Sequence, residues 1–88
     1  MYNGLYLLIY SMMKGTAMKR LTQREYEALS LLVKGLSNEE IAEAMFVTKH
    51  TVKMYLKAIY EKLEVSNRVS AVVKALSLGL IQIEMPPK

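Results

Sequence analysis

A short stretch of this sequence concentrates side chains suited to holding a polyanion: His50, Lys53, Met54 and Lys57. On a helix turning about 100° per residue, these four and Glu61 share one side. Lys53 and Lys57 then lie one turn apart, where like charges repel by about 0.2–0.5 kcal/mol. An external polyanion offsets that repulsion, because each phosphate met by a lysine releases its condensed counterions. The opposite arc carries Val52, Tyr55, Leu56, Ile59 and Leu63, a set suited to a core. A merely solvated basic face is the plainer alternative, but it gives Met54 no role between two lysines. A thioether there suits contact with a thymine methyl group.

These residues predict a helix over about 48–63, held on its apolar side and free to enter the major groove of duplex DNA on its basic side. Each lysine can donate to guanine O6/N7 or to a phosphate, and spacing alone leaves both open. His50 does not make a catalytic or metal site. It is the only histidine in a chain with no cysteine and no aspartate, so a phosphate-facing or solvated imidazole is the expectation. Asn38, Thr48, Lys49 and Thr51 sit at helix starts, where they can meet phosphates. Capping is the alternative role for Asn38 and the threonines, and it is compatible with the first.

The scaffold follows from local signals. Thr22-Gln23-Arg24-Glu25 and Ser37-Asn38-Glu39-Glu40 are both capping boxes, each fixing a helix start. Gly35-Leu36 and Gly79-Leu80 read as helix stops, with glycine in the left-handed position. Thr48 caps the third helix, and Ser66 or Asn67 the fourth. Only Met45, Phe46 and Val47 separate the second and third helices. So short a turn forces a steep crossing, with Phe46 and Val47 expected to plug the corner. In the fourth helix Val69, Val72, Val73 and Leu76 are read as the core side. Ala71, Ala75 and Leu78 then form a second apolar side, with Ser70, Lys74 and Ser77 as a polar arc. The expectation is that a second copy of the chain, or the N-terminal segment, covers it. A dimer interface is assigned to Ala71, Lys74, Ala75 and Leu78.

Composition bounds the rest. Eighty-eight residues allow one small domain, and 52% hydrophobic residues argue against disorder. A net charge of +4 and a pI of about 9.4 fit a nucleic-acid partner without requiring one. The distribution is more informative. Residues 21–45 carry Arg24 and Lys34 against Glu25, Glu27, Glu39, Glu40 and Glu43, whereas 48–63 carry Lys49, Lys53, Lys57 and Lys62 against Glu61 alone. The absence of cysteine removes disulfides and thiolate metal sites. The absence of aspartate removes the phosphoacceptor of a receiver domain. The expected organisation is an N-terminal extension over 1–18, a helical domain over 19–83 and a tail over 84–88. Leu5–Met13 is apolar except for Ser11, too short to span a bilayer and without preceding positive charge. It reads as a non-native extension ahead of a start at Met18, or as an arm that packs on the domain or on a second copy. Pro86 and Pro87 end any helix.

The run from Leu21 to Ile81 resembles the LuxR/GerE-type helix-turn-helix domain. The resemblance is carried by Leu21-Thr22 with Arg24-Glu25, Gly35 with Ser37-Asn38, Glu40-Ile41-Ala42, Thr51-Val52-Lys53, Lys62-Leu63 and Asn67-Arg68. It implies an all-α, four-helix DNA-binding domain that regulates transcription in the bacterial cytoplasm, at the nucleoid. By the same resemblance Lys53, Met54 and Lys57 reach base edges; the backbone contacts assigned to Asn38, Thr48, Lys49, His50 and Thr51 rest on their places at the helix starts. The last helix dimerises, and RNA polymerase becomes a further partner. The length resembles stand-alone, GerE-like members or an isolated output domain. The competing reading is an interaction module that pairs with a larger regulator through the fourth helix. An enzyme is not expected: no acid/base pair, nucleophile constellation, phosphate loop or metal spacing is visible. No cofactor, small-molecule substrate or membrane partner is implied.

Overall fold

The computed structural model describes residues 21–81. They form α1 (Gln23–Val33), α2 (Asn38–Met45), α3 (Lys49–Leu63) and α4 (Arg68–Ser77), with no strand among them. The fold is all-α. Helix α3 lies at the centre and packs against each of the other three.

The helix starts are where the local chemistry places them. The hydroxyls of Thr22 and Ser37 accept from the Glu25 and Glu40 amides, and the two carboxylates accept from the Thr22 and Ser37 amides in return. Thr48 caps α3 through the Thr51 amide, and Asn67 caps α4 through the Ser70 amide. The stops repeat one device. At Gly35 (φ +95°) the Leu36 amide donates to Leu31 and the Gly35 amide to Leu32. Gly79 ends α4 in the same way, with Leu80 donating to Ala75. Helices α2 and α3 close with the same pattern of bonds, but on Phe46 and Glu64, both at φ 59°.

The core draws on all four helices: Ala28, Leu29 and Leu32 of α1, Ile41, Ala42 and Met45 of α2, Val52, Leu56, Ile59 and Leu63 of α3, and Ala71 and Ala75 of α4. Full burial of an aliphatic side chain contributes about 1.5–3 kcal/mol, so this set dominates the stability.

Two sequence expectations fail here. Phe46 does not plug the corner: it is 94% exposed, and only Val47 turns toward the core. Its left-handed backbone, needed to reverse the chain after α2, carries the side chain outward. Helix α4 is also rotated from the expected orientation. Of the expected core side only Val72 packs against the core, partly buried; Ala71 and Ala75 are fully buried, whereas Val69 (70%), Val73 (57%) and Leu76 (38%) are exposed. Ala71 and Ala75 therefore cannot form the assigned dimer contact. The reason is steric: the methyl side chains admit close approach of α4 to the helices beneath, and bulkier side chains on that side would overfill the gap. Lys74 and Leu78 are half-buried, between the two faces.

Candidate nucleic-acid interface

Four inward residues hold α3 in place: Val52, Leu56, Ile59 and Leu63. With that side fixed, His50, Lys53, Met54 and Lys57 are left exposed, and Met54 shows 59% of its surface. Lys53 and Lys57 line a hollow of about 420 Å³ together with Asn38 and Glu61, while Leu56, Tyr60, Val65 and Ser66 complete its wall. The N-terminus of α2 and the outer side of α3 thus share one concave surface.

The other assigned residues are placed less uniformly. Thr48 and Thr51 are occupied locally, the Thr51 amide donating to the Thr48 hydroxyl at 3.1 Å and the two hydroxyls sharing a hydrogen bond at 3.0 Å. Lys49 pairs with Glu39 of α2 at 3.1 Å, both side chains being well exposed. Such a pair is worth about 0–1 kcal/mol and is readily exchanged for a phosphate. Asn38 is half-buried, and its amide oxygen accepts from Arg68 Nη1 at 3.0 Å. Arg68 Nη2 donates to the Leu36 carbonyl.

Lys62, counted above with the positive charges of α3, belongs to the scaffold instead. Its ammonium meets the Glu25 carboxylate at 2.6 Å, joining the end of α3 to the start of α1. Glu25 is only 8% exposed. Burial raises its pKa, but hydrogen bonds from Lys62 and from the Thr22 amide and hydroxyl outweigh this and leave it below the ordinary value. Arg24 performs a second positioning task. Its guanidinium donates to the Met45 carbonyl at 2.9 Å, at the end of α2, and to Glu27 at 2.8 Å. Hydrogen bonding to Tyr55 of α3, then to Glu27, raises its pKa. One side chain of α1 thereby braces the last turn of α2 and the body of α3.

Spacing gave no sign of these long-range partners. Arg24, Glu25 and Lys62 were read as charges, Glu25 also as a capping residue, and Arg68 only as a position in the family-like pattern. A carboxylate and a lysine 37 residues apart cannot be paired from one sequence. Among the described residues no group of His, Cys, Asp or Glu could hold a metal ion, and no helix is long and apolar enough to cross a membrane.

A small helical scaffold presenting two lysines and a methionine beside a helix N-terminus is the arrangement of a helix-turn-helix DNA-binding domain. The family model of the bacterial regulatory proteins of the luxR family, GerE, matches residues 19–75. The chain belongs to the luxR family. It is a DNA-binding, transcription-regulatory helix-turn-helix domain of that family. This luxR-family domain is 50% identical over 62 residues to the response regulator protein VraR of Staphylococcus aureus, and equally to that of Staphylococcus epidermidis, covering 70% of this chain and 30% of each relative. It therefore spans about 30% of the length of the curated relatives it matches. The solved structure of the transcription factor GerE superposes with a TM-score of 0.65 at 32% identity, covering 73% of this chain and 97% of that one. The response regulator ChrA, from a heme-sensing two-component system, gives 0.67 at 38% identity, covering 84% of this chain and 38% of its own.

Proposed function

We propose that this luxR-family chain is a sequence-specific regulator that inserts α3 into the major groove and binds paired half-sites as a homodimer. The observation that carries the proposal is the joint exposure of Lys53, Met54 and Lys57 on the side of α3 away from the core. In this reading the two lysines donate to base edges and Met54 meets a thymine methyl. Asn38, Lys49 and His50 contact the backbone, as do Thr48 and Thr51 alongside their capping bonds. The chain acts at the DNA of the bacterial cytoplasm, with RNA polymerase as a downstream partner and with no catalysis of its own. Alignment with nearly all of GerE and with only part of ChrA supports a compact DNA-binding unit as the shared element. The proposed dimer contact uses the exposed Val69, Val73 and Leu76, edged by Lys74 and Leu78, in place of the two buried alanines.

Selection from random duplex DNA tests this directly. Enriched sequences are expected to show two related half-sites about 34 Å apart, or a multiple of that spacing. Binding is expected to weaken steeply with salt, by about 10³–10⁵ between 50 and 200 mM if six to ten phosphates are contacted. A pool without enrichment, or a salt-independent complex, sinks the proposal. The apolar outer face of α4 favours a second reading, an interaction module for a larger regulator. Lys53→Glu separates the two, since it removes activity that depends on DNA and spares activity that depends on α4.

A further inference from the structure

We infer that Arg68 is a positioning residue for the DNA interface: it holds the Asn38 amide in the one orientation that can donate to a phosphate. The inference rests on the proposed use of the α3 face. It adds a residue that touches no DNA and lies in a different helix from the lysines.

A guanidinium has five N–H donors and no acceptor. The Asn38 atom facing Arg68 Nη1 at 3.0 Å is therefore its oxygen, by chemical necessity. The amide is planar, so Nδ2 is directed away from Arg68. Among the described residues no hydrogen bond takes that nitrogen. Asn38 also lines the hollow that Lys53 and Lys57 line, so this residue borders the cationic surface. Glu61 is on the same wall and disfavours an anion beside itself, leaving the Asn38 and lysine side as the place for one.

The fork is held at both tips. While Nη1 fixes Asn38, Nη2 donates to the Leu36 carbonyl, so Arg68 clamps the turn from which α2 begins. Arg68 is the first residue of α4, whose start is set by the Asn67 cap on the Ser70 amide at 2.8 Å. Ala71, one turn on, is fully buried and brings that end of α4 close to the core. An unrestrained asparagine would sample several rotamers and would offer a phosphate its oxygen as readily as its nitrogen. Fixing it beforehand removes an ordering cost from binding.

The test uses the full chain, a duplex enriched in the selection above, and affinities measured across a salt series. Lys53→Glu/Lys57→Glu is the control for the DNA reading itself. If it binds like the parent, that reading fails and this inference with it. Asn38→Asp keeps an acceptor for Arg68 and removes the donor. It is expected to melt at or above the parent's temperature while affinity falls at least 10-fold, a split that a purely structural role does not give. Arg68→Lys keeps the charge but loses the two-pronged fork. Asn38→Ala and Arg68→Lys are each expected to lower affinity about 3- to 10-fold by a similar factor at every salt concentration, leaving the slope of log K against log salt near the parent's, because a neutral amide releases no counterion. Their combination should be no weaker than Asn38→Ala alone. If the two losses multiply instead, or if Arg68→Lys binds with the parent's affinity, Arg68 does not act through Asn38. Either result overturns the inference while leaving the α3 reading intact.

Discussion

Helices α3 and α4 each turn one side to the core and one side outward, but they sort their side chains by different rules. In α3 the division is chemical: Val52, Leu56, Ile59 and Leu63 are inside, and His50, Lys53, Met54 and Lys57 are outside. In α4 both sides are apolar and the division follows fit: Ala71 and Ala75 are fully inside, Val72 packs partly buried beside them, and Val69, Val73 and Leu76 are outside. Hydropathy decides the first case because exchanging a lysine for a valine in the core would bury a charge. It does not decide the second, where exchanging alanine for valine changes the buried area little and the fit greatly. The α3 surface is therefore suited to a hydrated, charged partner, and the α4 surface to an apolar one.

The largest expected effect comes from breaking the charged side. Lys53→Glu/Lys57→Glu should lower DNA affinity by at least about 100-fold and flatten its salt dependence. Thermal unfolding should move little, because neither side chain contributes to the core. The matching change on the apolar side, Val73→Glu, should leave affinity for a single half-site within about two-fold while removing about 10²-fold or more at a paired site, through loss of the second contact. Equal losses at single and paired sites would mean that the two surfaces do not divide the work in this way.

The steric rule in α4 can be tested by stability alone. Ala75→Leu inserts a larger side chain where none fits and should cost about 1–3 kcal/mol, seen as a lower urea midpoint. Val73→Ala, on the outer side, should change stability by less than about 0.5 kcal/mol. The reverse order would restore the orientation that the sequence suggested.

That reversal shows how far the sequence could be read. All four helices, both capping boxes and the glycine stops were legible because each rests on a few neighbouring residues. The exposed side of α3 was legible because polarity contrast is strong there. The orientation of α4 was not, since it depends on how closely another helix approaches, and one chain does not record that distance. Phe46 was misread for a related reason. Hydrophobicity argued for burial, but the reversal after α2 imposes a left-handed backbone that directs the ring outward. Lys62 was grouped with the outward lysines because its partner, Glu25, lies far away in sequence.

Lys62 also sharpens the contrast within α3, where lysines are used both outside and inside. Glu25 titrates below its ordinary value of 4.5 in the folded chain, so its ion pair contributes fully above that pH. The contribution is lost as pH falls through the lower folded value. Urea unfolding should thus show stability declining below about pH 4.5. Glu25→Gln should be less stable at pH 7 by about 1–3 kcal/mol and should show a shallower decline in acid. An unchanged acid profile would place Lys62 among the outward lysines after all.

A smaller expected effect concerns Phe46, the most exposed large apolar side chain among the described residues, which lies on neither α3 nor α4. Phe46 sits at φ 59° with 94% of its surface in solvent. A left-handed backbone costs a residue with a Cβ about 1–2 kcal/mol, and an exposed ring returns almost none of that through burial. Phe46→Gly removes the strain and adds some backbone entropy to the unfolded chain, for a net gain of about 0.5–1 kcal/mol. That corresponds to a rise in Tm of about 4 °C for a domain of this size. DNA affinity should stay within about two-fold, since the ring belongs to neither outward face. If stability rises and DNA binding falls, the ring is a third contact surface and the division between α3 and α4 is incomplete. If stability falls, the ring is covered in solution by another part of the chain or by a second copy, and strain is not what sets its energy.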